Sequence, residues 1–102
     1  MPKLRDVCHH VRSKNAGPYW ITVDLFFPDA EALARYADAS SLSSAAVGSL
    51  FQVDAERVKR FPVPSLAVLK ISFPRRAPQG GTIERDMHGG QQYVRMLDLY
   101  LD

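Results

Sequence analysis

The amino-acid sequence predicts an α+β domain, a ferredoxin-like split βαβ sandwich in which helices cover one face of an antiparallel sheet. Apolar side chains alternate with others along residues 19–27 and 65–73, which is the periodicity of strands. Between those two runs, apolar residues recur at the spacing of helices. The resulting order is strand, helix, strand, strand, helix, strand, and two βαβ crossovers in that order give this sandwich.

The first strand and the helices after it have clear boundary signals. Residues 19–27 are rich in β-branched and aromatic side chains. Asp29 is a typical helix N-cap, and an alanine-rich segment containing Leu33 follows it at helical spacing. Ser43 or Ser44 would cap a second short helix. The apolar face of that helix would be formed by Val47, Leu50 and Phe51.

The second half of the chain supplies the remaining predicted elements. Residues 58–61 form a short strand, and residues 65–73 form a longer, mostly buried one. Residues 75–90 are too long for a plain connection in a compact domain, and such loops are usually functional or disordered. A short helix over residues 91–97 and a final strand over residues 98–101 would complete the fold.

Length and composition indicate one globular domain covering residues 1–102, with 46% hydrophobic residues and a net charge of +2. A core of this size is marginal, which favours a domain that works with a partner. Balanced charge argues against non-specific binding to nucleic acid or to a membrane surface. The chain has a single cysteine and no apolar run long enough for a signal peptide or a membrane span, which predicts a cytoplasmic protein.

A first polar segment precedes the strand at residues 19–27. Arg12 and Lys14 supply positive charge there, and Ser13, Asn15 and nearby backbone N–H groups would form a nest for a phosphate or carboxylate. The alternative is a solvated turn, with residue types chosen for backbone geometry. The segment contains neither glycine-rich nucleotide-binding pattern.

A second polar segment lies in the long loop and contains Arg85, Asp86 and His88. Asp86 would orient the imidazole of His88, which is the arrangement that a general base requires. The alternative is an exposed polar loop held by an Arg–Asp pair, which contributes little on a surface.

Three other chemistries are disfavoured by the residues. Adjacent histidines in a strand point to opposite sides, so His9 and His10 are poor joint ligands, and we expect no metal and no cofactor. Nothing places an imidazole on the sulfur of Cys8, which favours a buried, inert thiol over a nucleophile. RNA-recognition domains carry stacking aromatics on both central strands, whereas residues 66–72 have none and present only Lys70 as an outward cation.

Four segments together resemble a small family of unknown function related to AtuA, the acyclic terpene utilisation protein. They are the opening Leu4-Arg5-Asp6, the turn at residues 12–17, the region 61–73, and the late segment Arg85-Asp86-x-His88-Gly89. The resemblance spans nearly the whole chain. The chain also resembles the ferredoxin-like C-terminal module of AtuA-like proteins. This resemblance implies a module acting beside a large AtuA-like partner in the catabolism of organic acids or acyl-CoA compounds.

The residues and the resemblance together support three functions. The first is an accessory subunit that packs on a large AtuA-like protein and binds an anionic group through the two polar segments. The second is a stand-alone lyase or hydratase that acts on a carboxylate or CoA thioester through His88. The third is a ligand-sensing or assembly module, which would form a homo-oligomer with Trp20, Phe26 or Tyr100 at the contact.

Overall fold

A computed structural model describes residues 2–16, 19–74 and 96–102 of the chain. The predicted loop at residues 75–90 lies outside these residues, as do residues 91–95 of the helix predicted at 91–97. Within the described residues the chain forms three α-helices, four strands and short 3₁₀ turns. In chain order these are α1 (Leu4–Val7), β1 (His10–Asn15), β2 (Trp20–Phe26), α2 (Ala30–Tyr36), α3 (Ser44–Phe51), β3 (Lys59–Val63) and β4 (Val68–Pro74).

The four strands form one antiparallel sheet in the order β1-β2-β4-β3. Because β4 runs antiparallel to both neighbours, β2 and β3 are parallel to each other with β4 between them. The helices α2 and α3 lie in the connection from β2 to β3. This is a split βαβ unit, and it confirms the predicted α+β class with a ferredoxin-like arrangement.

The helices begin where their capping residues predict. Asp29 precedes α2 and its side chain accepts a hydrogen bond from the Ala32 amide at 2.8 Å. Ser43 does the same for α3, accepting from the Ala46 amide at 3.1 Å. Both caps satisfy an amide that the first turn of a helix leaves without a partner.

One hydrophobic core joins the helices to one face of the sheet. Phe51 of α3 stacks on Phe73 of β4 with ring centroids 4.2 Å apart. Phe73 is paired in the sheet with Ile21, and Leu33 of α2 belongs to the same core. The apolar face of the sheet is therefore the one that the helices cover.

The fourth strand of the sheet differs from the prediction. Residues 98–101 do not join the sheet; they form a single antiparallel bridge between Lys3 and Tyr100. The amide of Leu101 donates to the Pro2 carbonyl at 2.8 Å, and the amide of Leu4 donates to the Leu99 carbonyl at 2.7 Å. The backbone of residues 98–101 forms hydrogen bonds with the N-terminal segment, so β1 takes the edge position beside β2.

Two predicted boundaries also move. The strand predicted at residues 65–73 begins only at Val68, because residues 64–66 form a 3₁₀ turn and Ala67 ends it with φ of 52°. The strand predicted at 58–61 is β3, which extends to Val63 through Pro62. A proline is tolerated there because β3 is an edge strand, where an N–H can be spared.

Candidate functional site

The sheet has two chemically different faces because successive strand residues point to opposite sides. On β2, Ile21, Val23 and Leu25 enter the core, while the alternate residues lie on the other side. Cross-strand pairing carries this alternation through all four strands. We call the second side the open face. Its residues include Arg12, Lys14, Trp20, Thr22, Asp24, Phe26, Lys59, Phe61, Lys70 and Ser72.

Asp24 lies near the middle of the open face and holds two cations. Its Oδ2 accepts a hydrogen bond from Nε of Arg12 at 3.2 Å, and its Oδ1 accepts one from Nζ of Lys70 at 3.2 Å. The carboxylate is only 1% exposed, whereas the side chains of Arg12 and Lys70 are 51% and 38% exposed. Asp24 therefore fixes both cations from below and leaves them accessible to an anion from solvent.

A pair of hydroxyl groups lies in the next row of the sheet. Thr22 and Ser72 are paired across β2 and β4, and their oxygens are 3.0 Å apart. Lys14 is paired with Thr22 on one side, and Lys59 is paired with Ser72 on the other. Both lysines are exposed, and neither forms an ion pair with a carboxylate of the described residues.

Aromatic rings mark the two ends of the open face. Near one end, Arg57 and Lys59 stand over the Trp20 ring, 5.8 and 5.1 Å from its centroid. Near the other end, Arg12 stands 5.6 Å from the centroid of Phe26, and the His10 ring is 5.3 Å from it. Both arrangements are within the range of cation–π attraction and help to orient the cations.

The structure places the four binding residues predicted in the first polar segment on two different faces of the sheet. It places them in strand β1 instead of a turn, so Arg12 and Lys14 lie on the open face. Ser13 and Asn15 are paired with Val23 and Ile21 on the opposite side, where Ser13 is buried. Arg12 therefore contacts Asp24 and Lys14 lies in the next row of the same face, whereas Ser13 and Asn15 lie on the core side.

Of the predicted general base and the predicted inert thiol, only the thiol lies in the described residues. Arg85, Asp86 and His88 lie outside the described residues. Cys8 is buried, as predicted, and burial raises the pKa of its thiol to about 12, which disfavours the reactive thiolate.

The sequence interpretation missed most of the open face. The sequence interpretation places Asp24 and Thr22 only in a strand and Lys59 only in a short strand, and it gives Trp20 only a contact in an assembly. The signal that would have found them is the period of two along β2, which places a carboxylate and a hydroxyl in line with Lys70 and Ser72 of β4.

Two further features of the described residues concern metal binding and membrane insertion. Across residues 2–16, 19–74 and 96–102, no group of three His, Cys, Asp or Glu side chains comes together as a metal site would require. No helix in the described part of the chain is long and apolar enough to span a bilayer.

Comparison with known proteins gives one match. A family model described as a domain of unknown function (DUF4387) matches residues 4–100. No curated protein and no solved structure matches the chain significantly.

Proposed function

The chain belongs to the DUF4387 family of domains of unknown function, and from this premise we propose that it is a small accessory module that binds a carboxylate ligand on its open face. One observation carries the proposal. Arg12 and Lys70 are both held by the buried carboxylate of Asp24 while a large part of each side chain faces solvent. Cations fixed in this way pay less ordering entropy when a ligand binds.

The geometry of the two cations suits a carboxylate. The hydrogen bond to Asp24 uses Nε of Arg12, and within the described part of the chain no side chain or carbonyl accepts from the terminal amino groups of the guanidinium, which can bind a second acceptor. Lys70 lies on the other side of the same carboxylate and adds a point charge. A ligand carboxylate placed above Asp24 would accept hydrogen bonds from both cations.

The proposed partner is a large AtuA-like protein, and its support is the sequence resemblance described above. A small domain of this size has a limited core, and the proposed site lies on an accessible sheet face. In this proposal the module brings a bound organic acid or acyl-CoA compound to the active site of the partner. The predicted proton transfer by His88 with Asp86 stays a separate prediction.

Calorimetric titration with a simple carboxylate such as acetate tests the binding site. We expect the Arg12→Gln and Lys70→Gln variants to lose binding, because each removes one of the two cations. The matched control is Arg35→Gln, which removes an exposed cation from α2. Binding that survives both open-face substitutions would refute this site.

A pull-down from the native extract tests the partner. We expect the tagged chain to retain a large AtuA-like protein in stoichiometric amount, identified by mass spectrometry. If the chain retains no such protein, the accessory role is wrong, although the binding site could still be correct.

A further inference from the structure

The carboxylate site proposed at Arg12 and Lys70 does not use the neighbouring cross-strand row of open-face residues. Across the sheet this row reads Lys14, Thr22, Ser72 and Lys59. The hydrogen-bonded hydroxyls of Thr22 and Ser72 lie at the centre of this row. A lysine from an edge strand flanks them on each side. Neighbouring strands are about 4.8 Å apart, so the two lysine backbones are separated by roughly 14 Å.

We propose that the open face takes an oxyanion carrying two or more negative groups, seated over the hydroxyl pair. One group would lie on Arg12 and Lys70, and another would be reached by Lys14 or Lys59. One hydroxyl of the Thr22–Ser72 pair donates to the other, so the second hydroxyl of the pair would donate to the ligand between these two positions. This inference deepens the proposed function and rests on it.

Charge balance on the open face supports a multivalent ligand. Among the described residues of the four strands, the open face carries four cations and one carboxylate, that of Asp24, which leaves three positive charges in excess. The cations are Arg12, Lys14, Lys59 and Lys70. A monoanion would neutralise only one of them. A ligand with two or three negative groups would relieve more of the mutual repulsion between the cations.

The same face argues against a single-stranded nucleic acid as the ligand. Such ligands need aromatic rings on which bases stack. The Trp20 ring already has Arg57 and Lys59 over it, at 5.8 and 5.1 Å from its centroid, and the Phe26 ring has Arg12 over it. Of the tryptophan and phenylalanine rings described on the open face, this leaves the half-exposed Phe61 on the edge strand β3, and one ring does not make a row on which successive bases stack. A small polyanion needs no stacking and would engage Lys59 directly.

The test is calorimetric titration of the full chain at constant ionic strength with acetate, succinate, citrate and pyrophosphate. A short single-stranded oligonucleotide is included as a competitor. The fluorescence of Trp20, the only tryptophan, reports movement of Lys59 when a ligand binds. The key variant is the double substitution Lys14→Gln with Lys59→Gln, and its matched control is Arg12→Gln with Lys70→Gln.

We expect citrate or pyrophosphate to bind at least about tenfold more tightly than acetate, since each added charged group gains further charge-assisted hydrogen bonds. The Lys14/Lys59 double variant should lose this preference and keep acetate binding, while the Arg12/Lys70 double variant should lose both. A preference for citrate over pyrophosphate identifies a polycarboxylate, and the reverse identifies a polyphosphate. A cooperative urea transition and a wild-type circular dichroism spectrum will show that each variant is folded under the binding conditions. The Arg12/Lys70 double variant should be less stable than the wild type, because it leaves the buried carboxylate of Asp24 without its two partners.

Two results would overturn the inference and leave the proposed function standing. One is equal affinity for acetate and citrate; the other is a preference that the Lys14/Lys59 double variant retains. Tighter binding of the oligonucleotide than of citrate would replace the small polyanion with a nucleic acid. If no anion binds the wild type, the proposed function itself fails.

Discussion

At the scale of single residues, Asp24 is the most consequential side chain of the open face. A buried charge is costly unless opposite charges and hydrogen bonds compensate for the water it loses. Arg12 and Lys70 provide that compensation from the two strands that flank β2. The same contacts tie three strands together and fix the cations, so stability and the proposed binding depend on one carboxylate.

Replacement of this carboxylate by an amide should therefore be costly. We expect Asp24→Asn to lower the free energy of unfolding by about 1–3 kcal/mol, because it removes the charged acceptor and leaves two neighbouring cations unbalanced. Urea unfolding followed by Trp20 fluorescence measures the loss. The control is Asp98→Asn, whose exposed carboxylate pairs with Lys3 and Arg5 and should change stability by less than about 1 kcal/mol. Equal losses in the two variants would show that the burial of Asp24 does not matter.

At the scale of elements, the sequence predicted those whose local pattern agrees with their final neighbours. The strand predicted at 19–27 and the helix capped by Asp29 lie where expected. β1 was missed because its outward residues are polar, and of its inward residues Val11, Ser13 and Asn15 only Val11 is apolar, so the strand lacks an apolar run. The final strand was wrong because alternation alone does not say which backbone will pair with residues 98–101.

The candidate site was predictable only in part for a related reason. Arg12 and Lys14 were found from their charge, since they stand out in a polar segment. Their convergence with Asp24 and Lys70 depends on the register of β1 against β2 and of β2 against β4. A net charge of +2 also hides the segregation of cations onto one face, because acidic residues elsewhere balance the total.

The C-terminal segment is fixed to the helical layer by one carboxylate. Oδ2 of Asp102 accepts from the Ser40 hydroxyl at 2.6 Å, and Oδ1 accepts from the Ser40 amide at 2.8 Å. The hydroxyl bond is the larger cause, and both bonds lower the pKa of Asp102 below its ordinary value of 3.8. A lowered pKa in the folded state means that these bonds stabilise the fold above that ordinary value and are lost as the pH falls through the lowered one.

Acid titration of stability should reveal this contact. We expect the urea midpoint of the wild type to fall as the pH drops below the ordinary pKa of Asp102, and Ser40→Ala to reduce that fall because it removes the hydroxyl donor. Ser49→Ala, which changes an exposed serine of α3, is the matched control and should follow the wild type. If Ser40→Ala shows the same acid dependence as the wild type, the contact does not contribute.

At the scale of the whole molecule, both ends of the chain belong to one core. Leu4 and Leu101 are buried in the same cluster as Val23 of the central sheet. The chain ends also exchange backbone hydrogen bonds near the Lys3–Tyr100 bridge. Because one cluster contains side chains from the helices, the sheet and both termini, the domain should unfold as a single cooperative unit.

A core substitution outside the sheet tests this cooperativity. We expect Leu101→Ala to lower the free energy of unfolding by about 2–5 kcal/mol, since it leaves a cavity in a closely packed core. Far-UV circular dichroism and the fluorescence of Trp20 should shift to the same lower midpoint, because loss of packing at the terminus is felt in β2. Tyr100→Ala, a change at an exposed neighbour, should shift both signals little. If Trp20 in the Leu101→Ala variant keeps its wild-type midpoint while the helical signal falls, the terminal segment is an independent unit and the single core does not set the stability of the sheet.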